Sequence, residues 1–158
     1  MNLPRSLMIA VLGLAVPALP SCEPAKSCGP ASAVVERVID GDTVVLRGGQ
    51  RVRYLNVDTP ESTAKNGKEC FGSEASEYNS GRVEGREVQL TYDSQCLDQY
   101  GRLLAHVWAD GTDVGLDEVG LGYAYAMILP PNVDGREAFE AAEEIARAHG
   151  MGLWSACR

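Results

Sequence analysis

Short runs of apolar and β-branched residues, broken by glycine and aspartate, predict strands along much of the chain. The runs cover residues 33–46, 52–57, 87–92 and 103–108. The first run is broken at Asp40-Gly41 and predicts one long strand or two short ones. Gly48-Gly49 predicts the turn of a hairpin that joins the first run to the second.

Apolar residues with helical spacing predict three helices, over residues 73–83, 114–121 and 135–149. The last helix has the clearest apolar stripe, formed by Phe139, Ala142, Ile145 and Ala146. With the first run counted as two strands, the order is β-β-β-α-β-β-α-α. Five short strands with a helix after the third predict an α+β, mainly β fold, a five-stranded OB-like barrel with three helices.

The N-terminal segment, residues 1–21, has the pattern of a secretory signal peptide. Arg5 is followed by an apolar stretch at residues 7–16 and then by small residues and prolines. The apolar stretch is too short for a permanent membrane-spanning helix. We therefore expect residues 22–32 to be a tether and residues 33–158 to form an exported domain.

The end of this segment, Leu19-Pro20-Ser21-Cys22, also resembles a bacterial lipobox, in which the cysteine carries lipid. Cleavage nearby without lipidation is the alternative, and the sequence leaves both open. With lipid on Cys22 the protein would be tethered to a membrane of the cell envelope. Without it the protein would be secreted.

The cysteines fit an exported protein, because disulfides persist in an oxidising compartment. They are Cys22, Cys28, Cys70, Cys96 and Cys157. If Cys22 carries lipid, an even set of four remains. Four cysteines allow three pairings, and their positions along the chain do not choose among them.

Charge narrows the functions that the domain can have. The 158 residues allow one domain, and 14 basic and 22 acidic side chains give a net charge of −8. This excludes a simple nucleic-acid binder whose affinity comes from a field of lysines and arginines. The only histidines are His106 and His149, which excludes a zinc site with several histidine ligands.

Two acidic clusters interrupt the strand pattern, at residues 40–43 and 58–61. The first can be a turn or bulge, but Asp42 then lacks an explanation, because a carboxylate among strand formers is disfavoured unless paired or coordinated. The second can be a helix N-cap, with Thr59 capping and Pro60 in the first position. Together, the clusters place four carboxylates at the ends of neighbouring strands. Hard oxygen ligands of this kind suit calcium (Ca²⁺), and sulfur and imidazole ligands are lacking there.

Two arginines add a second kind of chemistry. Arg53 lies in the strand that leads to the second acidic cluster, and Arg102 follows the turn Tyr100-Gly101. For either arginine alone, a surface salt bridge is the commoner role. A planar, permanently charged guanidinium is also what a phosphodiester requires, since in-line attack builds charge on the phosphoryl oxygens. A cation would share that task, and a glutamate near it could orient or deprotonate the attacking water.

Five segments together resemble the motifs of the staphylococcal nuclease (thermonuclease) family. They are VIDGDT at 38–43, VRYLNVDTPE at 52–61, FGSEAS at 71–76, DQYGRLLA at 98–105 and GLWS at 152–155. The resemblance covers residues 33–155, in the order and spacing of the family.

The resemblance implies an OB-like barrel with three helices and Ca²⁺-dependent cleavage of DNA and RNA phosphodiesters. The implied direct metal ligands are Asp42, Asp58 and the Thr59 carbonyl. The acidic side chains implied to reach the metal through water are Asp40 and Glu61. The implied catalytic residues are Arg53, Glu61 and Arg102. We expect substrate to be bound by Tyr100, Arg53 and Arg102.

The resemblance also suggests a disulfide pairing. In the family fold, the segment of Cys70 before the first helix lies next to the turn that contains Cys96. Cys28 and Cys157 lie near opposite ends of the chain, which usually approach each other in compact domains. We therefore predict the bonds Cys70–Cys96 and Cys28–Cys157.

These observations predict an exported or envelope-anchored, Ca²⁺-dependent nuclease, expected to be a monomer, which hydrolyses DNA, RNA or both by metal-assisted attack of water. The alternative is a non-catalytic OB module that binds nucleic acid or another partner. The net charge favours that alternative slightly, whereas the complete set of acidic and arginine residues opposes it. A disulfide-stabilised Ca²⁺-binding surface protein is a third hypothesis, but it leaves both arginines unexplained.

Overall fold

The computed structural model describes residues 28–63 and 67–157. The predicted signal peptide, residues 1–21, and the lipidation candidate Cys22 lie outside the described residues. Within the described part, the elements are β1 (Ser32–Asp40), β2 (Thr43–Leu46), β3 (Arg51–Tyr54), β4 (Val57–Asp58), α1 (Gly72–Val83), β5 (Glu87–Thr91), β6 (Leu103–Ala109), β7 (Thr112–Asp113), α2 (Val114–Leu121), β8 (Tyr125–Ala126), α3 (Arg136–Ala148) and α4 (Leu153–Ala156). In these two ranges, no helix has the length and apolar character needed to cross a bilayer.

Five strands close into a mixed barrel, as the sequence predicts. Their hydrogen-bonded order is β3-β2-β1-β5-β6, and parallel pairing of β3 with β6 closes the barrel. β7 pairs with β6, and β4 pairs with β8 in a separate two-stranded sheet. The mainly β, OB-like architecture is confirmed. The described ranges contain four helices, because Leu153–Ala156 forms a short helix that the sequence pattern does not predict.

The barrel core follows from the alternation of side chains along its strands. The buried residues of β6 are Leu103, Ala105, Val107 and Ala109, and the residues between them are partly exposed. This period of two is what a strand with one covered face requires. On α3, Phe139 and Ala146 are buried as predicted, but Ile145 is 56% exposed and does not belong to the inward face.

The first predicted run forms two short strands, one of the two predicted possibilities, and the second run is divided where a single strand is predicted. Residues 33–46 form β1 and β2, because the chain turns at Gly41-Asp42. Residues 52–57 are divided between β3 and β4. At the break, Asn56 has a φ of 62°, a left-handed conformation that does not continue a strand. The chain therefore leaves the barrel after β3 and carries the second acidic cluster on β4 and the loop that follows it.

The disulfides differ from the predicted pairing. The structure joins Cys28 to Cys96 and Cys70 to Cys157, so the predicted bonds Cys70–Cys96 and Cys28–Cys157 are wrong. β1 runs antiparallel to β5, so the segment before β1 lies beside the loop that follows β5. Cys28 is therefore held next to Cys96 and not next to the other end of the chain.

The second disulfide joins the segment before α1 to the residue that follows α4. Tyr123 stacks on Tyr78 of α1 with 4.6 Å between ring centroids. The carbonyl just before Tyr123 accepts a hydrogen bond of 2.8 Å from the Leu153 N–H of α4. α1 and α4 thus meet at the same loop, and this places Cys70 beside Cys157.

The last residues of the expected tether, 28–32, contact the domain. Cys28 is disulfide-bonded, and the Pro30 carbonyl accepts a hydrogen bond of 2.6 Å from the Tyr92 hydroxyl. Ser32 already belongs to β1. These residues therefore pack as part of the domain.

Candidate active site

The turn between β1 and β2 carries a buried carboxylate, that of Asp42, which is 5% exposed. Its Oδ2 accepts hydrogen bonds from the Thr59 backbone N–H at 2.9 Å and from the Thr59 hydroxyl at 3.1 Å. Its Oδ1 accepts one from the Thr43 hydroxyl at 3.0 Å. A buried charge needs such partners, and here they also tie the first acidic cluster to the second.

Gly41 allows the two clusters to come this close. A Cβ at position 41 would lie 2.5 Å from Thr59 Cγ2 and 2.8 Å from Thr59 Cβ. Only glycine, which has no side chain, permits this approach. The Asp-Gly pair therefore serves the packing of the site as well as the turn.

Arg53 of β3 lies between the carboxylates of both clusters. Its Nη2 is 3.1 Å from Asp42 Oδ2 and 3.1 Å from Asp58 Oδ1. Its Nη1 donates to the carbonyl oxygens of Tyr54 at 3.1 Å and Val57 at 2.6 Å. These four acceptors fix the plane of a guanidinium whose side chain is 11% exposed. The orientation of the fork is thus set before any ligand binds.

Three carboxyl groups crowd this part of the site. Burial, followed by the charge of Asp42, raises the pKa of Asp40 to about 6. Burial also raises the pKa of Asp58; Asp42 and Glu69 add to the rise, and Arg53 opposes it. Such an excess of negative charge is what a bound cation would relieve.

The donor set bears on which cation could bind. In the described part of the chain, no group of three or more histidine, cysteine, aspartate or glutamate side chains is placed so that it could hold a metal ion. The two predicted carboxylate ligands, Asp42 and Asp58, both contact Arg53. The residues present nevertheless fit Ca²⁺, because carboxylate and carbonyl oxygens are its preferred ligands and water completes its coordination.

Glu61 lies on the exposed loop after β4, and its backbone is held firmly. Its N–H donates to Glu69 Oε2 at 2.9 Å, and its carbonyl accepts from the Glu69 N–H at 3.0 Å. Gly72 packs against the same segment, since a Cβ there would collide with the Glu61 carbonyl. The residue itself is exposed, so its carboxylate is accessible to water.

Arg102 is oriented by Asp98, four residues earlier. Its Nε donates to Asp98 Oδ2 at 2.6 Å, and its backbone N–H donates to Asp98 Oδ1 at 3.0 Å. Burial acts to raise the pKa of Asp98, but hydrogen bonds from Arg102 and from the Tyr100 N–H outweigh it and lower that pKa. The carboxylate therefore stays charged and holds the guanidinium, which lies 5.6 Å from the centroid of the Tyr100 ring.

Arg53, Tyr100 and Arg102 line one cleft of about 470 Å³. β3 and β6 pair in parallel with Arg53 opposite Leu104, which places the two arginines at the same end of neighbouring strands. Tyr100 is 75% exposed, and Leu129 adds an apolar wall. The structure thus brings together the three residues expected to bind substrate.

The aspartates of the two acidic clusters meet at Arg53, which lines this cleft. Asp42 and Asp58 contact Arg53 directly, and Asp40 Oδ1 accepts a hydrogen bond from the Asp42 N–H at 3.2 Å. Glu61 follows on the exposed loop. Arg53 is therefore the residue that joins the acidic part of the site to the cleft.

Three residues that hold the site are not identified by the sequence pattern. Asp98 precedes Arg102 by four residues, a spacing that is compatible with their contact but is also common on surfaces. Glu69 reaches Glu61 across a loop, and no periodicity indicates this. Asn79 donates from the buried face of α1 to a carbonyl of the first acidic cluster, and its only signal is a polar residue on an otherwise covered helix face.

Comparisons with known proteins identify the family of this chain. The family described as "Staphylococcal nuclease homologue" matches residues 51–156. The chain is 36% identical over 127 residues to the thermonuclease of Staphylococcus intermedius, covering 78% of this chain and 76% of that protein. It is 33% identical over 159 aligned positions to the thermonuclease of Staphylococcus hyicus, covering 94% of each. It is 35% identical over 153 positions to the endonuclease YhcR of Bacillus subtilis (strain 168), covering 88% of this chain and 12% of that protein. The family match and both thermonuclease matches extend over most of the chain, so the chain belongs to the staphylococcal nuclease family, as its motifs indicate.

Proposed function

We propose that this protein is an exported, Ca²⁺-dependent nuclease that hydrolyses phosphodiester bonds in DNA, RNA or both. As a member of a nuclease family with relatives named thermonuclease and endonuclease, it is a phosphodiester hydrolase. The observation that carries the finer proposal is the position of Arg53, which lines the cleft and contacts both acidic clusters. The Arg53 guanidinium would therefore contact both the bound substrate and the carboxylates that hold the metal.

The cleft suits a nucleic-acid chain that presents a phosphate and a base. Arg53 and Arg102 offer guanidinium forks to phosphate oxygens. The exposed Tyr100 ring offers a face on which a base can stack, and Leu104 and Leu129 add apolar surface. Because the net charge is −8, we expect affinity to depend on these local contacts and on the cation, not on a broad basic surface.

Asp42, Asp58 and the Thr59 carbonyl would hold Ca²⁺, and Asp40 and Glu61 would contact it through water. The bound ion supplies positive charge that neutralises phosphate oxygens. The support for this assignment is the placement of Asp42 and Asp58 on the same guanidinium with Asp40 beside them. Burial, with a further contribution from neighbouring carboxylates, raises the pKa of Asp40 and Asp58.

The protein's own side chains account for the remaining chemistry. Glu61 accepts the proton of the attacking water, whose oxygen forms the new bond to phosphorus while the bond to the leaving oxygen breaks. Arg53 and Arg102 neutralise the charge that develops on the phosphoryl oxygens. Asp98 holds the Arg102 guanidinium for this task through the 2.6 Å hydrogen bond. The leaving oxygen takes up a proton from solvent, and after the products leave Glu61 returns its own proton to solvent, so the protons balance.

Export is consistent with two disulfides in a domain of this size, because such bonds persist outside the cytoplasm. Residues 1–21 would direct the export. Lipid at Cys22, where it is attached, would tether the domain to the membrane. We expect the domain to be a monomer, which gel filtration would test directly.

The test is cleavage of plasmid DNA and of single-stranded RNA by the oxidised protein, first with Ca²⁺ and then with a chelator. We expect cleavage only with Ca²⁺, and a circular dichroism spectrum that is the same in both conditions. An Arg102→Gln preparation, purified in the same way, controls for contaminating nucleases and should be inactive. Binding of nucleic acid without cleavage would support the non-catalytic alternative, and full cleavage in chelator would refute the requirement for a metal.

A further inference from the structure

We propose that Asn79 and Tyr54 are positioning residues that hold the turn of residues 40–42 in the shape in which Asp42 can receive a divalent cation. The inference rests on the proposed function, because it concerns the same cation site. It assigns a role to two buried polar side chains that the proposed chemistry does not use.

A chain of two hydrogen bonds links the barrel to the turn through helix α1. The Tyr54 hydroxyl donates to Asn79 Oδ1 at 2.8 Å, and Asn79 Nδ2 donates to the Asp40 carbonyl at 3.0 Å. Asn79 is 0% exposed and Tyr54 is 2% exposed. Since Nδ2 can only donate, the tyrosine hydroxyl bond at Oδ1 leaves the donor end of the amide facing the turn.

Tyr54 also holds the turn at a second point. Its backbone N–H donates to the Asp42 carbonyl at 2.9 Å. Both ends of the turn are therefore tied to the same residue, directly at Asp42 and through Asn79 at Asp40. Between these ties, Gly41 lies against Thr59. The backbone on both sides of the Asp42 carboxylate is thus fixed by groups that bind no cation themselves.

Stability alone does not account for this chain of bonds. Replacing both partners of the Tyr54–Asn79 bond by apolar groups of the same shape can be nearly neutral for stability. Apolar replacements could fill the same space, but they would leave the Asp40 carbonyl without this donor. Groups that support metal ligands without touching the metal typically change metal affinity by about 10–100-fold. The pair should therefore matter more for the cation than for the fold.

The experiment compares the double variant Tyr54→Phe/Asn79→Leu with the wild type and with Val83→Ala. Val83 is fully buried on the same helix and takes no part in the hydrogen-bond chain, so its truncation controls for lost stability. Urea titrations first establish that all three oxidised proteins are folded. Calorimetry on the folded proteins then measures the Ca²⁺ dissociation constant. We expect the double variant to bind Ca²⁺ about 10–100-fold more weakly and Val83→Ala to match the wild type. At saturating Ca²⁺ the double variant should recover most of the wild-type kcat, because Arg53, Glu61 and Arg102 are unchanged.

Amide hydrogen exchange in the metal-free proteins provides a second readout. The amide of residue 54, which bonds to Asp42, should exchange faster in the double variant and not in Val83→Ala. If the double variant does not fold, Tyr54→Phe alone keeps the ring and should show the same changes to a smaller extent. Wild-type Ca²⁺ affinity and wild-type exchange in the folded variant would overturn the inference. A wild-type protein that binds no Ca²⁺ would refute the metal proposal instead, and the exchange data would still decide the positioning role.

Discussion

Arg53 and Asp42 form a buried ion pair, with 3.1 Å between Nη2 and Oδ2 and with side chains that are 11% and 7% exposed. The pair neutralises a carboxylate that would otherwise be buried beside Asp40 without a positive charge. In the proposed function, Asp42 is also a cation ligand. The guanidinium and the cation then neutralise the same carboxylate, so the loss of one increases the need for the other.

Arg53→Gln should lower the free energy of unfolding of the metal-free protein by about 3–5 kcal/mol, the usual effect of leaving a buried charge unpaired. Added Ca²⁺ should restore part of this loss. Urea unfolding with and without Ca²⁺ measures both effects, and Arg51→Gln, at an exposed position of the same strand, is the control. Equal stability of metal-free Arg53→Gln and wild type would contradict the interpretation of the ion pair.

The variant Glu61→Gln tests whether Glu61 is the general base that accepts the proton of the attacking water. The amide keeps the shape of the side chain but cannot take a proton, so kcat should fall by about 10²–10⁴-fold. Stability should not change, because Glu69 holds the Glu61 backbone and position 61 is exposed. Binding of a short oligonucleotide with Ca²⁺ should weaken far less than turnover. Glu74→Gln, at an exposed position of α1, is the matched control. Normal turnover in Glu61→Gln would show that Glu61 is not the general base.

Arg102→Lys should lower kcat strongly, because lysine keeps the charge but loses the planar fork. Asp98→Asn should cause a smaller loss in kcat, since the amide keeps the shape but not the charge-assisted hydrogen bond at 2.6 Å. Steady-state kinetics on a defined oligonucleotide separates kcat from KM for both. Arg47→Lys, at an exposed position, should behave as wild type. A variant of Arg102 that lost only substrate affinity would make this arginine a phosphate anchor.

The sequence predicts those parts of the fold that depend on local periodicity. β6 alternates in the structure as it does in the sequence, because one face of the strand is covered by the core. The candidate site residues Asp42, Arg53 and Arg102 stand out for another reason, because they lie in or beside strands and have side chains that the core does not require; their roles stay predictions.

Features that depend on contacts distant in sequence are not predictable in this way. The partner of Cys28 is decided by the pairing of β1 with β5, whose paired residues lie more than 50 positions apart in the chain. The orientation of α2 is a second example, because Glu118 is fully buried whereas the apolar Leu121 is 41% exposed. No helical period calculated from apolar residues indicates a buried glutamate.

The disulfide Cys28–Cys96 should support activity as well as stability. Cys96 begins the segment that contains Asp98, Tyr100 and Arg102, so the bond anchors one wall of the cleft. Cys28→Ser/Cys96→Ser should lower the free energy of unfolding by about 2–4 kcal/mol. It should also raise KM at temperatures where the variant is folded. Non-reducing peptide mapping checks the pairing, and a Cys28–Cys157 peptide would contradict it.

Glu118 of α2 is 0% exposed, and within the described residues neither oxygen of its side chain has a hydrogen-bond partner. Burial raises its pKa well above 4.5; Asp42, Asp113 and Asp40 add to the rise, and Arg53 opposes it. The unfolded chain loses this proton near its ordinary pKa, whereas the folded protein keeps it at higher pH. Above about pH 4.5, the native state therefore binds more protons than the unfolded state. The contribution of Glu118 to the free energy of unfolding therefore falls as pH rises, up to the pKa of the folded state.

Glu118→Gln should remove this part of the pH dependence, because the amide does not titrate. The difference in free energy of unfolding between the variant and the wild type should grow with pH, by at most about 1.4 kcal/mol per pH unit. Urea titrations at several values between about pH 5 and about pH 8 measure the difference. Asp40 and the other titratable groups are present in both proteins, so their contributions to the pH dependence largely cancel in this difference. Glu144→Gln, exposed on α3, should show no such trend. A difference that stays constant over this range would mean that Glu118 is ionised in the fold, and its charge would then require a cation close by.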